Sequence, residues 1–167
     1  MDVSSSEVRG QAGVSGAAEA MIWHHTSVVV SDIDHAVSFY RDQFGFQVSL
    51  EARLAAQIQQ LLALPDITCD LVQGYSPISG HVLELIEFSN VPAGADSRLP
   101  IWPGKGHLAF VVPDLQAAMR SLEGAGGRPV GQVAEFREGP AVYCWTPAGT
   151  VVELEQWHDP HQAEARR

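Results

Sequence analysis

His25-Thr-Ser-Val-Val-Val-Ser-Asp32-Ile33 returns later in the chain as His107-Leu-Ala-Phe-Val-Val-Pro-Asp114-Leu115, 82 residues on. In both stretches a histidine opens an apolar run and an aspartate closes it seven positions later. Internal repetition is sought first because missing it misassigns a whole fold. The match runs on: Ile33, Ala36, Val37 and Tyr40 stand at helical spacing, and the same offset lands on Leu115, Ala118, Met119 and Leu122. Each pattern predicts an amphipathic helix. Asp32 and Asp114 stand at the N-cap positions, with Gly45 and the Gly124 to Gly127 stretch suited to the far ends.

Each copy also closes alike, with Val82-Leu-Glu84-Leu85 in the first and Val151-Val-Glu153-Leu154 in the second, 69 residues apart. The shorter offset means that the first copy carries extra residues in its middle. Leu54 to Leu64, LAAQIQQLLAL, reads as a short inserted helix ended by Pro65 and placed to cover one side of a site. The segments FQVSLE, CDLVQGY, RPVGQVAE and PAVYCWT supply the remaining strands. Each copy then reads as a βαββ(β) unit, a strand, a helix and an antiparallel set, so the expected fold class is α+β with two tandem modules. Residues 21–90 form the first module, 91–106 a Pro- and Gly-punctuated linker, and 107–158 the second module. Residues 1–20 read as a flexible tail and 159–167 as a polar C-terminal one.

Composition narrows the function. Ten Lys and Arg against twenty Asp and Glu give a formal charge of −10, which disfavours nucleic acid and anionic membrane as partners. The small, polar start lacks the apolar stretch of a signal peptide, and no run approaches the ~20 apolar residues of a membrane span, so a cytoplasmic protein is expected. Cys69 and Cys144 lack C-x-x-C spacing and read as buried small hydrophobes.

On a strand, Glu84 shares a face with Val82 and Ile86, while Glu153 shares one with Val151, Glu155 and Trp157. A buried carboxylate needs a partner, and a metal ion is one. Taken singly, each of His25, Glu84, His107 and Glu153 is as readily a solvated residue. Their repeat-equivalent placement sets them apart and predicts one divalent ion held by two imidazoles and two carboxylates. Zinc, nickel, cobalt, manganese or ferrous iron suits that set better than calcium. His24 rivals His25, and only the repeat register favours the latter. Glu87, Glu155, His81, His158 and His161 have no repeat partner of the same type and read as surface residues or, at most, supporting ones.

The opening His25-TSVVV-Ser-Asp32, the helix Ala36-Val-Ser-Phe-Tyr-Arg-Asp-Gln-Phe-Gly45-Phe46 and the closing Glu-Leu strands resemble the vicinal oxygen chelate superfamily over about residues 22 to 157. That group includes glyoxalase I, methylmalonyl-CoA epimerase, extradiol dioxygenases and bleomycin-binding proteins. The resemblance implies two tandem βαβββ modules forming a curved mixed sheet around a metal site, with metal ligands on the first and last strand of each module, which transfer onto His25, Glu84, His107 and Glu153. It further implies a substrate that chelates the metal through its oxygens and passes through an enediolate, with Glu84 and Glu153 as candidate catalytic bases. An epimerase or isomerase moving a proton beside a carbonyl, on a cyclitol ketone or an acyl-CoA, is the first reading. A glyoxalase I-like lyase, an extradiol dioxygenase and a non-catalytic binding or resistance protein follow as alternatives. Methylmalonyl-CoA epimerases tend to carry glutamine at the position of Glu84, and Lys105 is the one lysine of the chain, which favours a small neutral carbonyl substrate over CoA. A homodimer is expected by resemblance. Trp102, Tyr143, Trp145 and Trp157 are read as packing residues with no assigned role.

Overall fold

A computed structural model describes residues 21–159, so the expected tails, with His161, lie outside the described residues apart from Asp159. The first module runs β1 (Ile22–Val29), α1 (Ile33–Phe44), β2 (Gln47–Leu54), α2 (Ala56–Leu62), β3 (Thr68–Tyr75) and β4 (Val82–Ser89). The second runs β5 (Leu108–Val111), α3 (Leu115–Gly124), β6 (Arg128–Pro129), β7 (Ala134–Glu135), β8 (Pro140–Trp145) and β9 (Val151–Glu155). The strands form one mixed sheet in the order β2-β3-β4-β1-β5-β9-β8-β6, with β7 also on β8. The repeat is visible in the register. β1 pairs in parallel with β4, setting Ser27 beside Glu84, and β5 pairs in parallel with β9, setting Ala109 beside Glu153. The modules join through β1 and β5, which run antiparallel.

Both predicted helices form, for matching reasons. Asp32 accepts a hydrogen bond from the His35 N–H at 2.8 Å, and Asp114 accepts one from Ala117 at 2.8 Å. A second acceptor serves each first turn: Glu87 takes the Ile33 N–H at 2.8 Å, and Gln156, three residues past Glu153 as Glu87 is past Glu84, takes that of Leu115 at 2.7 Å. Glu87 is therefore a helix cap with a repeat counterpart of different type, not a bare surface residue. Each cap occupies backbone N–H groups that the helix itself leaves unpaired. Gly45 closes α1 with φ 70°, the left-handed conformation glycine tolerates. α3 buries Leu115 and Ala118 against Val142, Cys144 and Leu154, the sheet face opposite Tyr143 and Glu153. The other face is left for the site.

The inserted helix α2 is only seven residues long and has no side-chain N-cap. A helix of that length is not stable by itself. It is held by burial of Ile58, Leu61 and Leu62, at 1%, 1% and 3% exposure, in a cluster that includes Ala134, Tyr143 and Trp145 of the second module. At roughly 1.5–3 kcal/mol per buried aliphatic side chain, three such residues dominate its stability. The expected strand RPVGQVAE is split into β6 and β7 around this contact. Gln132 N–H donates to the Gln60 carbonyl at 2.8 Å, and a Cβ on Gly131 would lie 2.2 Å from that same oxygen. The chain bonds to the end of α2 there instead of continuing a ladder. The linker is packed as well, with Leu99 and Ile101 buried and Val29 N–H donating to the Lys105 carbonyl. Cys69 and Cys144 are free and buried, and burial pushes their thiols up to about 12 and about 11, which keeps them protonated.

Candidate metal centre

Six polar side chains are buried among the described residues: His25, Ser27, Gln73, Glu84, His107 and Glu153. All lie on the strands β1, β3, β4 and β9 or at the entry to β5, and four of them are the repeat-equivalent set. His25 Nε2 stands 3.3 Å from His107 Nε2, 3.4 Å from Glu84 Oε1 and 3.6 Å from Glu153 Oε2. His107 Nε2 stands 3.1 Å from Glu153 Oε2 and 3.8 Å from Glu84 Oε1. The four donors have exposures of 3%, 4%, 4% and 8%. Two ring nitrogens facing each other at this distance need either a shared proton or a cation. The separations also suit a common ion: four ligands at ~2.1 Å in a tetrahedron are themselves ~3.4 Å apart. His25, Glu84 and His107 form a group whose ligand atoms all lie within 4.8 Å of one another and which could hold a metal ion, while Glu153 stands outside that group, against the two histidines.

The local electrostatics follow from burial and pairing. Burial alone would lower the His25 pKa, but the charge and hydrogen bond of Glu84, with Glu153 and Glu155 behind, raise it to about 9. Burial would raise Glu84, yet His25, His107 and the Gln73 amide, which donates to Oε2 at 2.8 Å, hold it down at about 2. Glu153 is shifted upward, because burial and the charge of Glu155 outweigh its two histidine partners. The repeat-equivalent carboxylates thus differ in direction: Glu84 is held below the usual carboxylate range and Glu153 is pushed above it. Their cross-strand neighbours account for part of this difference. Gln73 sits opposite Glu84 and Tyr143 opposite Glu153. Burial, with the Glu153 and Glu84 charges, pushes the Tyr143 phenol well above its usual range, so it stays protonated.

The donors open onto a cavity of about 320 Å³ whose lining includes His25, Glu84 and Glu153. Its walls are apolar. Leu50, Ala52 and Leu54 of β2 face it, with Ile58 and Leu61 of α2 and Phe136 beyond. Arg137 is the single Lys or Arg among its lining residues. The insertion thus covers one side of the site as its position in the sequence predicts.

His24, the rival of His25 in the sequence, and Glu155, expected at most in a supporting place, flank the centre half-buried, with Glu155 Oε1 3.2 Å from His24 Nδ1. Trp157 and Tyr143, read as packing residues, line the cavity. His81 is exposed and bonds to Ser79, and His158 is exposed too.

A family model described as the Glyoxalase/Bleomycin resistance protein/Dioxygenase superfamily matches residues 22–160. The chain belongs to this superfamily. No curated protein sequence matches it. Among solved structures, this superfamily member is similar to methylmalonyl-CoA epimerase from Mycobacterium tuberculosis, at 20% identity and TM-score 0.61, covering 84% of this chain and 91% of that one. It is similar to a mutant of 4-hydroxymandelate synthase from Streptomyces coelicolor at 18% identity and TM-score 0.58, covering 83% of this chain and 48% of that one. A hypothetical protein from Bacillus halodurans C-125 aligns at 14% identity and TM-score 0.63, covering 84% of this chain and 96% of that one. At these identities the likeness is one of fold. No helix among the described residues is long and apolar enough to cross a membrane.

Proposed function

We propose that this member of the superfamily is a divalent-metal-dependent epimerase or isomerase that moves a proton on the carbon beside a carbonyl. One observation carries the reading: four buried, repeat-equivalent donors from two modules converge at one end of an apolar cavity. His25 and His107 would hold the ion through Nε2, Glu84 through Oε1 and Glu153 through Oε2. When bound, the ion supplies Lewis-acid polarisation of a substrate carbonyl, which acidifies the adjacent C–H.

The protein's own groups divide the remaining work. Glu84 is tied on both oxygens, Oε1 toward His25 and Oε2 to Gln73, and so serves as a fixed anion. Glu153 meets both histidines through Oε2, and among the described residues no side chain donates to its Oε1. That oxygen is the proton acceptor of choice, and the upward shift of Glu153 suits a base that must also return the proton. The leucine, isoleucine and alanine side chains on the walls lower the local dielectric and leave each charge less screened than in water. They also suit a small carbonyl substrate with a hydrocarbon substituent, since a single arginine offers little to an extended polyanion.

The test is solvent deuterium exchange, followed by mass spectrometry, on a panel of small 2-substituted ketones and acyl thioesters with zinc- or cobalt-loaded protein. Exchange at the carbon beside the carbonyl that disappears in Glu153→Gln supports the reading. Absence of exchange above the metal-free protein across the panel, with metal demonstrably bound, overturns it. A hemithioacetal in the panel identifies a glyoxalase I-like lyase, for which the two-His, two-Glu set is equally suited.

A further inference from the structure

The repeat relates His25 to His107, yet the two rings are supported differently from behind. His107 Nδ1 is buried without a hydrogen-bond partner. His25 Nδ1 instead faces His24 Nδ1 at 3.0 Å and Glu155 Oε1 at 3.7 Å. The two supporting groups are themselves tied together. Glu155 Oε1 is 3.2 Å from His24 Nδ1, its Oε2 accepts the Trp157 indole N–H at 2.7 Å, and the His24 ring stands edge-on to Trp157 with centroids 4.8 Å apart.

The second module has no room for the same device. The position 82 residues after His24 is Gly106, where a Cβ would meet the Ser27 carbonyl oxygen at 1.9 Å. The position 69 residues before Glu155 is Ile86, buried at 1% exposure. Support of a ligand ring through its far nitrogen is therefore confined to one of two otherwise equivalent histidines.

We propose that Glu155, held by Trp157, is a positioning residue that, with His24 beside it, fixes the tautomer and orientation of His25 for metal binding. The proposal rests on the metal-centre reading. An imidazole that ligates through Nε2 keeps its remaining proton on Nδ1, and a carboxylate on the Nδ1 side favours that tautomer. The Nδ1 atoms of His25 and His24 are 3.0 Å apart, so only one of them donates to the other; with His25 ligating through Nε2, its Nδ1 proton points between His24 Nδ1 and Glu155 Oε1, and His24 keeps its own proton on Nε2. Glu155 then faces the Nδ1 proton that His25 carries, and its indole hydrogen bond limits the directions in which it can turn. Outer partners of this kind typically contribute 10–100-fold to metal affinity.

The experiment uses the full chain and cobalt(II) or zinc(II), competed against a chelator at fixed pH, for wild type, Glu155→Gln, Glu155→Ala, Glu155→Asp and Trp157→Phe, with circular dichroism to verify folding. We expect one ion per chain throughout. Affinity should fall about 10–100-fold in Glu155→Ala and Glu155→Gln, less in Trp157→Phe, with partial recovery in Glu155→Asp. In the zinc-loaded wild type, nitrogen-15 spectra should show a slowly exchanging His25 Nδ1 proton that Glu155→Ala loses. Affinity within about twofold of wild type in folded Glu155→Ala or Glu155→Gln overturns the proposal. So do two ions per wild-type chain falling to one in Glu155→Ala, since Glu155 would then ligate a second ion through the His24–His25–Glu155 group. A wild-type chain that binds no ion fails earlier, and overturns the metal centre itself.

Discussion

Loading the centre with metal should expel protons, and the structure says from where. His25 has its pKa raised to about 9 in the metal-free protein, so at pH 7 about 99% of the molecules carry that proton, at pH 9 about half, and at pH 10 about a tenth. A ligating imidazole must give it up. Glu84, at about 2, is already ionised and contributes nothing. Glu153, shifted upward, adds to the release where it is still protonated. The expectation is at least about one proton per ion at pH 7, with apparent affinity rising roughly tenfold per pH unit up to pH 8 and flattening above 9. Titration calorimetry in buffers of different ionisation enthalpy measures the number directly. Glu84→Gln supplies the internal check: the carboxylate charge that most strongly opposes burial is gone, so the His25 pKa falls and proton release at pH 8 falls with it. Stoichiometric metal uptake at pH 7 with no proton released, or unchanged release at pH 8 in Glu84→Gln, would refute the electrostatic account.

The same shifts set a stability window for the metal-free protein. His25, raised, contributes stability fully below about 6.5 that is lost as pH climbs through about 9, and Glu84, lowered, contributes stability above about 4.5 that is lost as pH falls through about 2. Glu153, raised, shares the sense of His25. Urea midpoints should therefore peak between about pH 4.5 and 6.5 and decline by pH 9, and a flat profile from 6 to 9.5 contradicts this. Gly131→Ala places a Cβ 2.2 Å from the Gln60 carbonyl oxygen and 2.5 Å from that of Leu61, both backbone atoms at the end of α2. Overpacking of about 1–3 kcal/mol, plus about 1 for the Gln132 hydrogen bond, predicts a clear drop in Tm, and an unchanged Tm would show that α2 does not dock there. Ile58→Ala, at a site 1% exposed, should cost about 2–5 kcal/mol in chemical denaturation, with a cost under ~1 kcal/mol counting against the packing described. Asp114→Ala removes an N-cap and should cost about 1 kcal/mol, matched by Asp32→Ala if the repeat is energetically as well as geometrically equivalent.

The residues that the repeat preserves were legible. His25, Glu84, His107 and Glu153 could be picked out because each copy vouched for the other, and the caps Asp32 and Asp114 because a short polar side chain before a helical pattern has few other uses. Hidden were the places where the modules differ. Glu87 and Gln156 perform one task with two residue types. Gln73 and Tyr143 sit opposite the two carboxylates through a register that no spacing along the chain announces. The repeat register favours His25 over His24 and gives Glu155 no partner of its own type, yet that asymmetry, with Gly106 and Ile86 at the matching positions, is what lets the pair support a single histidine. The break between β6 and β7 could not be read locally, since its cause is the end of α2, some seventy residues earlier. The less apolar face of Glu153, with Glu155 and Trp157 along it, was the one local sign that polar groups gather on that side.

The central claim is that two histidines and two glutamates from equivalent strands hold one ion. X-ray absorption at the metal edge of the zinc- or cobalt-loaded chain tests it most directly. The account predicts a first shell of nitrogen and oxygen only, with outer-shell scattering of two imidazoles that drops to one in His107→Ala. A bound ion with no imidazole scattering, or with a sulfur neighbour from Cys69 or Cys144, would contradict it.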